Sequence, residues 1–291
     1  MPATVSRARR SAESIALIGL GNWGTSLAYG VLSAGLSLRE IVVRGRIPRD
    51  VSGLPIVRWQ QARLDAPIVW LCVPDGEIEV VAKQMAAGHS LRGQIVVHSS
   101  GALTVDALSP ARSAGAQVAA VHPVMTFPTR RPVPLTHVLF GIETASPGAL
   151  RRLTEVVHRL AGRAFRIDGR RKALYHAAGT MASPLLVSAL TAAIETARSA
   201  GLNQRDAMAV IEALSHATLR NVFARGAGQS FSGPFARGDA ATVKLHLQAL
   251  AGHPILAGVY HSLALHALES LPVKNRRALA QVLAGGQVLT D

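Results

Sequence analysis

The sequence predicts an α/β fold: a Rossmann-type doubly wound parallel sheet in the first half, followed by an all-α second half. Three observations carry this reading. Short apolar runs alternate with helical patterns from Ile15 to Ile167, the spacing of parallel strands joined by crossover helices. The first run leads directly into a G-x-G-x-x-G turn, Gly19 to Gly24. Beyond Gly169 no strand pattern recurs, and Ala- and Leu-rich helix-forming sequence continues to the end. The predicted organisation is a disordered basic tail over 1–13, a dinucleotide-binding domain over 14–168 and a helical domain for substrate and dimerisation over 169–291.

Composition narrows the class. Of 291 residues 49% are hydrophobic and 16% charged, enough apolar sequence for two cored domains and too little charge for a disordered chain. The longest apolar runs are interrupted before about 18 residues, so no transmembrane segment is expected. The Arg7, Arg9 and Arg10 tail lacks the apolar stretch of a secretory signal. A lone cysteine, Cys72, excludes an intrachain disulfide and suits a reducing cytoplasm. The net charge of +14 would suit a polyanion, but the arginines are scattered and aromatics make up only 4%, which leaves no stacking platform for nucleic acid. The charge is better matched to solubility and to attracting an anionic cofactor and small substrate.

Taken in order, Ile15–Ile18 is a buried strand and Thr25–Tyr29 lies in the helix after the glycine turn. Gly19 serves the tight turn, Gly21 the close approach of a pyrophosphate and Gly24 the packing of helix on strand; Asn22 and Trp23 complete the loop and are expected to bind the cofactor with it. The helix N-terminus offers free N–H groups and a positive dipole end to the phosphates. After the second strand, Glu40–Val43, the place of a ribose-binding carboxylate is taken by Arg44-Gly45-Arg46. Arginine there pairs with a 2′-phosphate, so NADP(H) is expected over NAD(H). Leu54–Val57 is a weak third strand. Ala66–Val73 is a strong fourth one, ending in Pro74-Asp75 with Asp75 as the N-cap of a helix over 76–87. Val73 and Pro74, at a strand's carboxyl end, are expected to border the nicotinamide. Cys72 reads as a packed core thiol.

Gln94–His98 is the fifth strand, and Ser99-Ser100-Gly101 at its carboxyl end can cradle a carboxylate, cap a helix, or both. Gln117–Val121 delivers His122, followed by a proline-rich loop. His122 is expected to line the site, with a purely structural role as the alternative. Val138–Ile142 and Ala164–Ile167 complete the sheet around a helix from Pro147 to Leu160. In the second half, helices are expected over 171–200 with an interruption or kink at Pro184, over 204–225, from the Asp239 N-cap to Leu250, after Pro254, and over 274–283, with a glycine-rich loop over 226–238.

The first helix of the second half carries Lys172, His176, Thr180 and Ser183, spaced to share one face of an otherwise apolar helix. Such a stripe faces either solvent or a ligand. The histidines offer no metal motif, so no metal is expected.

These stretches together resemble one family. The Gly19–Gly24 turn, Val73-Pro74-Asp75, His122–Pro128, the Lys172…His176 helix start and Gly233–Asp239 are similar to two-domain Rossmann proteins with a helical C-terminal domain long catalogued as of unknown function. That group is similar to the ketopantoate reductase, 6-phosphogluconate dehydrogenase and pyrroline-5-carboxylate reductase superfamily. The resemblance implies that Lys172 is a proton donor and that His176, where relatives commonly have Asn, contacts substrate. Pro184 stands where family members often have Asn, a departure that bears on substrate identity.

The expected activity is therefore NADPH-dependent reduction of a small carbonyl acid, with ketopantoate (2-dehydropantoate) as the leading candidate. Lys172 protonates the developing alkoxide with His176 orienting the substrate or relaying protons, and Ser99, Ser100, His122, Arg237 and Asp239 surround the substrate, Arg237 through its bidentate guanidinium. The alternatives are an imine reductase of the pyrroline-5-carboxylate reductase type and a non-catalytic NADP-binding sensor. Apolar helical faces left over in the second half predict a homodimer.

Overall fold

The computed structural model describes residues 13–45 and 53–285. The chain divides into two compact units, Met1–Gly179 and Thr180–Asp291. The first unit extends past the Asp168 boundary expected from sequence, because Lys172 is buried against the sheet. Most of the basic tail lies outside the described residues. Its last residue, Glu13, pairs with Arg152 at 2.7 Å from Nε.

The first unit is built on eight strands: β1 (Ser14–Ile18), β2 (Ser37–Val43), β3 (Ile56–Arg58), β4 (Ile68–Leu71), β5 (Ile95–His98), β6 (Gln117–Pro123), β7 (Leu139–Glu143) and β8 (Arg163–Arg166). Their order is β3-β2-β1-β4-β5-β6-β7-β8. All neighbours are parallel except β6 and β7. That antiparallel pair departs from the expected parallel sheet. The proline-bearing segment between β6 and β7 forms no crossover helix, and a return without one places the next strand antiparallel.

Alternation along the strands shows why both faces are covered. Ile15 and Leu17 of β1, with Trp70 and Val97, pack on one face against Leu27 and Val31 of α1 (Asn22–Ser33) and Leu153 and Val157 of α4 (Pro147–Arg159). Ala16 and Ile18, with Val69, Leu71 and Val96, pack on the other against Ile78, Val81 and Met85 of α2 (Asp75–Gly88). A strand buried on both sides is apolar throughout, as the sequence of β4 is. Between β5 and β6 lies a short helix, α3 (Ser109–Ser113).

One row of register positions the site. Ile18 is level with Leu71, Leu71 with His98, His98 with Ala120, and Ala120 with Glu143. The residues just beyond the carboxyl ends of β1, β4 and β5 therefore share one edge with the end of β7. The order reverses between β1 and β4, the switch point where open α/β sheets bind ligands.

From Lys172 on the described chain is helical, the first of these helices running across the unit boundary at Gly179. The helix expected over 171–200 is two helices, α5 (Lys172–Ala182) and α6 (Pro184–Ser199), because Pro184 lacks the N–H that would continue the ladder. Then follow α7 (Gln204–Arg225), α8 (Ala227–Ser230), α9 (Gly233–Arg237), α10 (Ala240–Leu250), α11 (Pro254–Ser270) and α12 (Arg276–Gly285). The expected loop over 226–238 thus holds the two short helices α8 and α9. Val243, Ala264, Leu268, Leu279 and Leu283 form a small core. Leu185, Val187, Leu214 and Ile255 are more than half exposed, and Phe223 is 86% exposed. The stretch Gly169–Ser199 is long and apolar enough to cross a membrane by length and composition, which the sequence reading did not anticipate. None of its apolar window is buried in the protein, the same feature as the exposed faces of α6 and α7.

Candidate functional site

The glycine turn has the geometry its sequence demands. Gly19 has φ +101°, and a Cβ there would lie 2.4 Å from the Cys72 carbonyl oxygen. At Gly24 a Cβ would lie 2.5 Å from the Gly19 oxygen. Gly21 differs: its missing side chain has nothing within 4 Å. Gly21 is the N-cap of α1, whose first turn carries no acidic residue and no side-chain cap. The helix start therefore presents unengaged N–H groups and a positive dipole end below open space, which fits a pyrophosphate.

The side chains of this turn serve packing. Asn22 Nδ2 donates to the Phe127 carbonyl at 2.8 Å, tying the turn to the proline-rich loop. Trp23 packs on Phe127 and Trp70, with ring centroids 5.0 and 6.4 Å away. Both indoles converge on Ser99, Trp23 Nε1 donating to its Oγ at 2.8 Å and Trp70 Nε1 at 2.7 Å. With two donors on its oxygen, the Ser99 hydroxyl has its own hydrogen left to give.

Ser100 is fully committed. Its Oγ donates to Asp75 Oδ2 at 2.7 Å and accepts from the N–H groups of Ala102 (3.2 Å) and Leu103 (2.9 Å). The capping role expected of this pair thus falls to Ser100, which also holds Asp75. Asp75 is not an N-cap: it is the first residue of α2, whose cap position is Pro74, and its carboxylate sits in the first turn, favoured by the helix dipole. Val73 is half-buried, with Cγ1 3.3 Å from where a Gly19 Cβ would stand; Pro74 is exposed. Cys72 is a core thiol, its pKa pushed up by burial.

Arg44, at the end of β2, donates from Nη2 to Glu77 Oε2 of α2 at 2.5 Å. Arg46 lies outside the described residues.

Lys172 is the buried centre of the region, with its side chain 1% exposed. Its Nζ donates to Glu143 Oε2 at 2.9 Å, and the second oxygen of Glu143 accepts from the Val105 N–H at 3.1 Å. Burial lowers the lysine pKa, opposed first by the hydrogen bond and charge of Glu143 and then by the charge of Asp75. Three histidines lie in the same region. His98, fully buried, has Nε2 3.1 Å from the Thr104 carbonyl, and its Nδ1 accepts from the Ser100 N–H at 3.1 Å. Burial and the Lys172 charge bring its pKa down to about 4. His122 also falls to about 4, through burial, then the charges of His176 and Lys172. The His122 and His176 rings meet edge to face with centroids 6.0 Å apart, and a Cβ on Gly101 would lie 2.8 Å from His122 Nε2 and 2.6 Å from His176 Nδ1. Only glycine leaves that approach open. Tyr175 completes the group, its hydroxyl 2.7 Å from His122 Nδ1.

Of the residues singled out in the sequence, Ser99, Ser100, His122, Lys172 and His176 thus come together at the sheet edge. The stripe divides: Lys172 is buried whereas His176 is exposed. Arg237 and Asp239 belong to the second unit, where Arg237 ends α9 and Asp239 caps α10 by accepting from the Thr242 N–H at 3.0 Å. Sequence reasoning missed Glu143, His98, Tyr175 and the chemistry of Asp75. No group of three or more metal-ligating side chains occurs among the described residues.

Comparison with known proteins agrees with this architecture. Residues 1–123 match the model of a Rossmann-like domain, and residues 138–267 match a domain of unknown function (DUF2520). No curated protein matches in sequence. Among solved structures, a Bacteroides fragilis protein described as an NADP oxidoreductase is similar at 18% identity and TM-score 0.68, over 93% of this chain and 98% of that one. A reductive aminase from Aspergillus terreus, in complex with NADPH and ethyl-5-oxohexanoate, is similar at 14% identity and TM-score 0.62, over 93% and 99%. The pyrroline carboxylate reductase of Plasmodium falciparum, with NADP bound, is similar at 14% identity and TM-score 0.58, over 96% and 100%. At these identities the likeness establishes the fold.

Proposed function

We propose that this chain, which joins a Rossmann-like domain to a DUF2520 domain, is an NADPH-dependent oxidoreductase that reduces a small carbonyl acid, with 2-dehydropantoate as the leading substrate. The observation that carries the proposal is the α1 N-terminus, uncapped and free of acid, open above Gly21 on the same sheet edge as a buried lysine. The backbone N–H groups after Gly21 would hold the pyrophosphate, with Val73 and Pro74 bordering the nicotinamide and Arg44 reaching the 2′-phosphate. NADPH, when bound, supplies the hydride.

The chain's own residues handle the proton and the charge. Burial lowers the pKa of Lys172 against the opposing pull of Glu143, and a lysine whose pKa is lowered is the better acid. One of its three N–H bonds goes to Glu143, so two remain for a developing alkoxide. Ser99 offers its hydrogen to a carboxylate or carbonyl oxygen. Ser100 acts through Asp75, which it orients. His122 and His176 flank the opening over Gly101 and position the substrate. Arg237 and Asp239 are further candidates for the substrate carboxylate.

The second reading is reduction of a cyclic or secondary imine. It is favoured by the likeness to the reductive aminase and to pyrroline carboxylate reductase. The test is the loss of NADPH absorbance with purified protein, offered 2-dehydropantoate in one series and 1-pyrroline-5-carboxylate in the other. Turnover of the keto acid supports the first reading and turnover of the imine alone replaces it. Tight NADPH binding with neither turned over would make the chain a sensor.

The exposed apolar side chains of α6 and α7 fit a homodimer paired through the helical unit, which sedimentation at micromolar concentration tests. The single, partly buried cysteine is compatible with a reducing cytoplasm.

A further inference from the structure

Glu143 closes the strand β7 and has no basic residue near it in sequence, yet two separate segments, at Val105 and at Gly169–Lys172, are shaped around its carboxylate. Lys172 Nζ donates to Oε2 at 2.9 Å. The Val105 N–H donates to Oε1 at 3.1 Å. Gly169 leaves the space the carboxylate needs, since a Cβ there would lie 2.3 Å from Oε1. The pair is nearly dry, with side chains 1% and 9% exposed. By contrast Arg170, two residues before the lysine, turns to Asp168 with 89% of its side chain exposed.

A buried ion pair of this kind is a poor source of stability, because desolvation of both charges offsets most of their attraction. A packed apolar pair would hold β7 to α5 equally well. What the pair does accomplish is to keep a lysine charged where burial favours its neutral form. The other groups acting there divide by sign: Asp75, the first residue of α2, favours the charged lysine, whereas burial first, and the lysine's own charge after it, lowers the pKa of His98 and His122. Tyr175 and His176 of α5 meet His122. Among the described residues, the hydrogen bond to Nζ comes from Glu143.

Building on the reading of Lys172 as proton donor, we propose that Glu143 is a positioning residue of the reductase, holding the Lys172 ammonium charged and fixed in place at the sheet edge. It acts through Lys172 and does not itself touch the substrate. The carboxylate also accounts for Gly169, whose lack of a side chain is a requirement of the pair.

The chain has four lysines, Lys83, Lys172, Lys244 and Lys274, so isotope-labelled lysine side chains can be followed individually by NMR. In Glu143→Gln, which keeps the shape and the acceptor for Val105 N–H, the Lys172 titration midpoint should drop by about one unit or more, the usual effect of removing an adjacent opposite charge. The other three midpoints should stay in place. The alkaline limb of kcat should move down with it, and the KM for NADPH should not change. Glu143→Asp, which keeps the charge, should give an intermediate midpoint, and it serves as the test if the Gln variant does not fold. An unmoved Lys172 midpoint in a folded variant overturns the role of Glu143. Because that titration needs no substrate, a failure to find turnover counts against the proposed activity and leaves this result readable.

Discussion

His122 Nδ1 and the Tyr175 hydroxyl lie 2.7 Å apart, with the two rings edge to face at 88°. Burial raises the phenol pKa and lowers that of the imidazole to about 4, so at neutral pH both are uncharged. At that distance the phenol either donates to Nδ1 or accepts from an Nδ1–H; the arrangement expected here is the first, which puts the hydrogen of His122 on Nε2. That nitrogen is the one over Gly101, so His122 presents a donor at the opening. The expected outcome is an Nε2–H tautomer of His122 in nitrogen NMR at pH 7. Tyr175→Phe should mix the tautomers and cost about 0.5–1.5 kcal/mol for the lost hydrogen bond. A pure Nδ1–H form in the parent protein would reverse the assignment.

The buried His98 gives a pH prediction. Its pKa is about 4 in the folded protein, against 6.5 as the ordinary value. As pH falls through 6.5 the unfolded chain takes up this proton first, so stability is complete above that value and is lost down to about 4. A gap of that size corresponds to roughly 3 kcal/mol. Urea unfolding at pH 7.5 and pH 4.5 measures the loss. His98→Asn, which retains an acceptor for the Ser100 N–H and does not titrate, should show a smaller difference between the two pH values.

The three glycines of the turn should separate stability from binding. Gly19→Ala meets the Cys72 carbonyl at 2.4 Å with φ +101°, and the backbone conformation alone costs a side chain about 1–3 kcal/mol. Gly24→Ala meets the Gly19 oxygen at 2.5 Å and forces α1 off its strand. Both should lower the unfolding midpoint. Gly21→Ala meets nothing within 4 Å and should stay within about 1 kcal/mol of the parent. Its methyl group would stand where a pyrophosphate is expected, so NADPH binding should weaken by about tenfold or more, or about 1.4 kcal/mol. Calorimetry on all three checks the contrast, and undiminished NADPH affinity in Gly21→Ala would move the cofactor elsewhere.

What could be read from the sequence follows the range of the interactions. The β1 strand, the glycine turn and the apolar β4 are local signals, and each appears in the structure where it was expected. His122, Lys172 and His176 could be singled out as candidates because strand ends and helix faces have fixed periods. Glu143 was missed because its partner lies 29 residues away and only the β6–β7 register brings the strand's end to that edge. The antiparallel turn of β7 was missed for the same reason: Leu139–Glu143 reads as a strand in either direction. Two signals were available. Tyr175 stands three residues after Lys172, on the same helical face. His98 is the one polar residue in the run of β5, and a polar group in a doubly buried strand needs a partner.

Cofactor preference should depend on Arg44. Its guanidinium is held at the end of β2 by Glu77 at 2.5 Å, with both side chains more than two-fifths exposed, so the pair is weak enough to reopen for a phosphate. Arg44→Gln should weaken NADPH by roughly tenfold to a hundredfold, the worth of a charge-assisted hydrogen bond of about 1.5–3 kcal/mol, and leave NADH nearly unchanged. Equal weakening of both cofactors in a fluorescence titration would show that Arg44 only attracts anions in general.

Lys172 carries the strongest prediction, and its burial changes how the test must be made. Lys172→Ala removes the proposed acid and should cut turnover about 10²–10⁴-fold. It also strands the Glu143 carboxylate in a nearly dry site, and breaking one side of a buried pair costs about 3–5 kcal/mol. A loss of activity in that variant alone would therefore confuse chemistry with folding. Lys172→Met combined with Glu143→Gln removes both charges, keeps most of the volume and should recover much of the stability. If Lys172 is the proton donor, the double variant folds, binds NADPH with nearly the parent affinity and still turns over at least a hundredfold more slowly, the lower end of the range for an acid. If turnover returns with stability, the lysine is a structural charge. The proton must then come from His122 or His176, the two imidazoles that meet over Gly101.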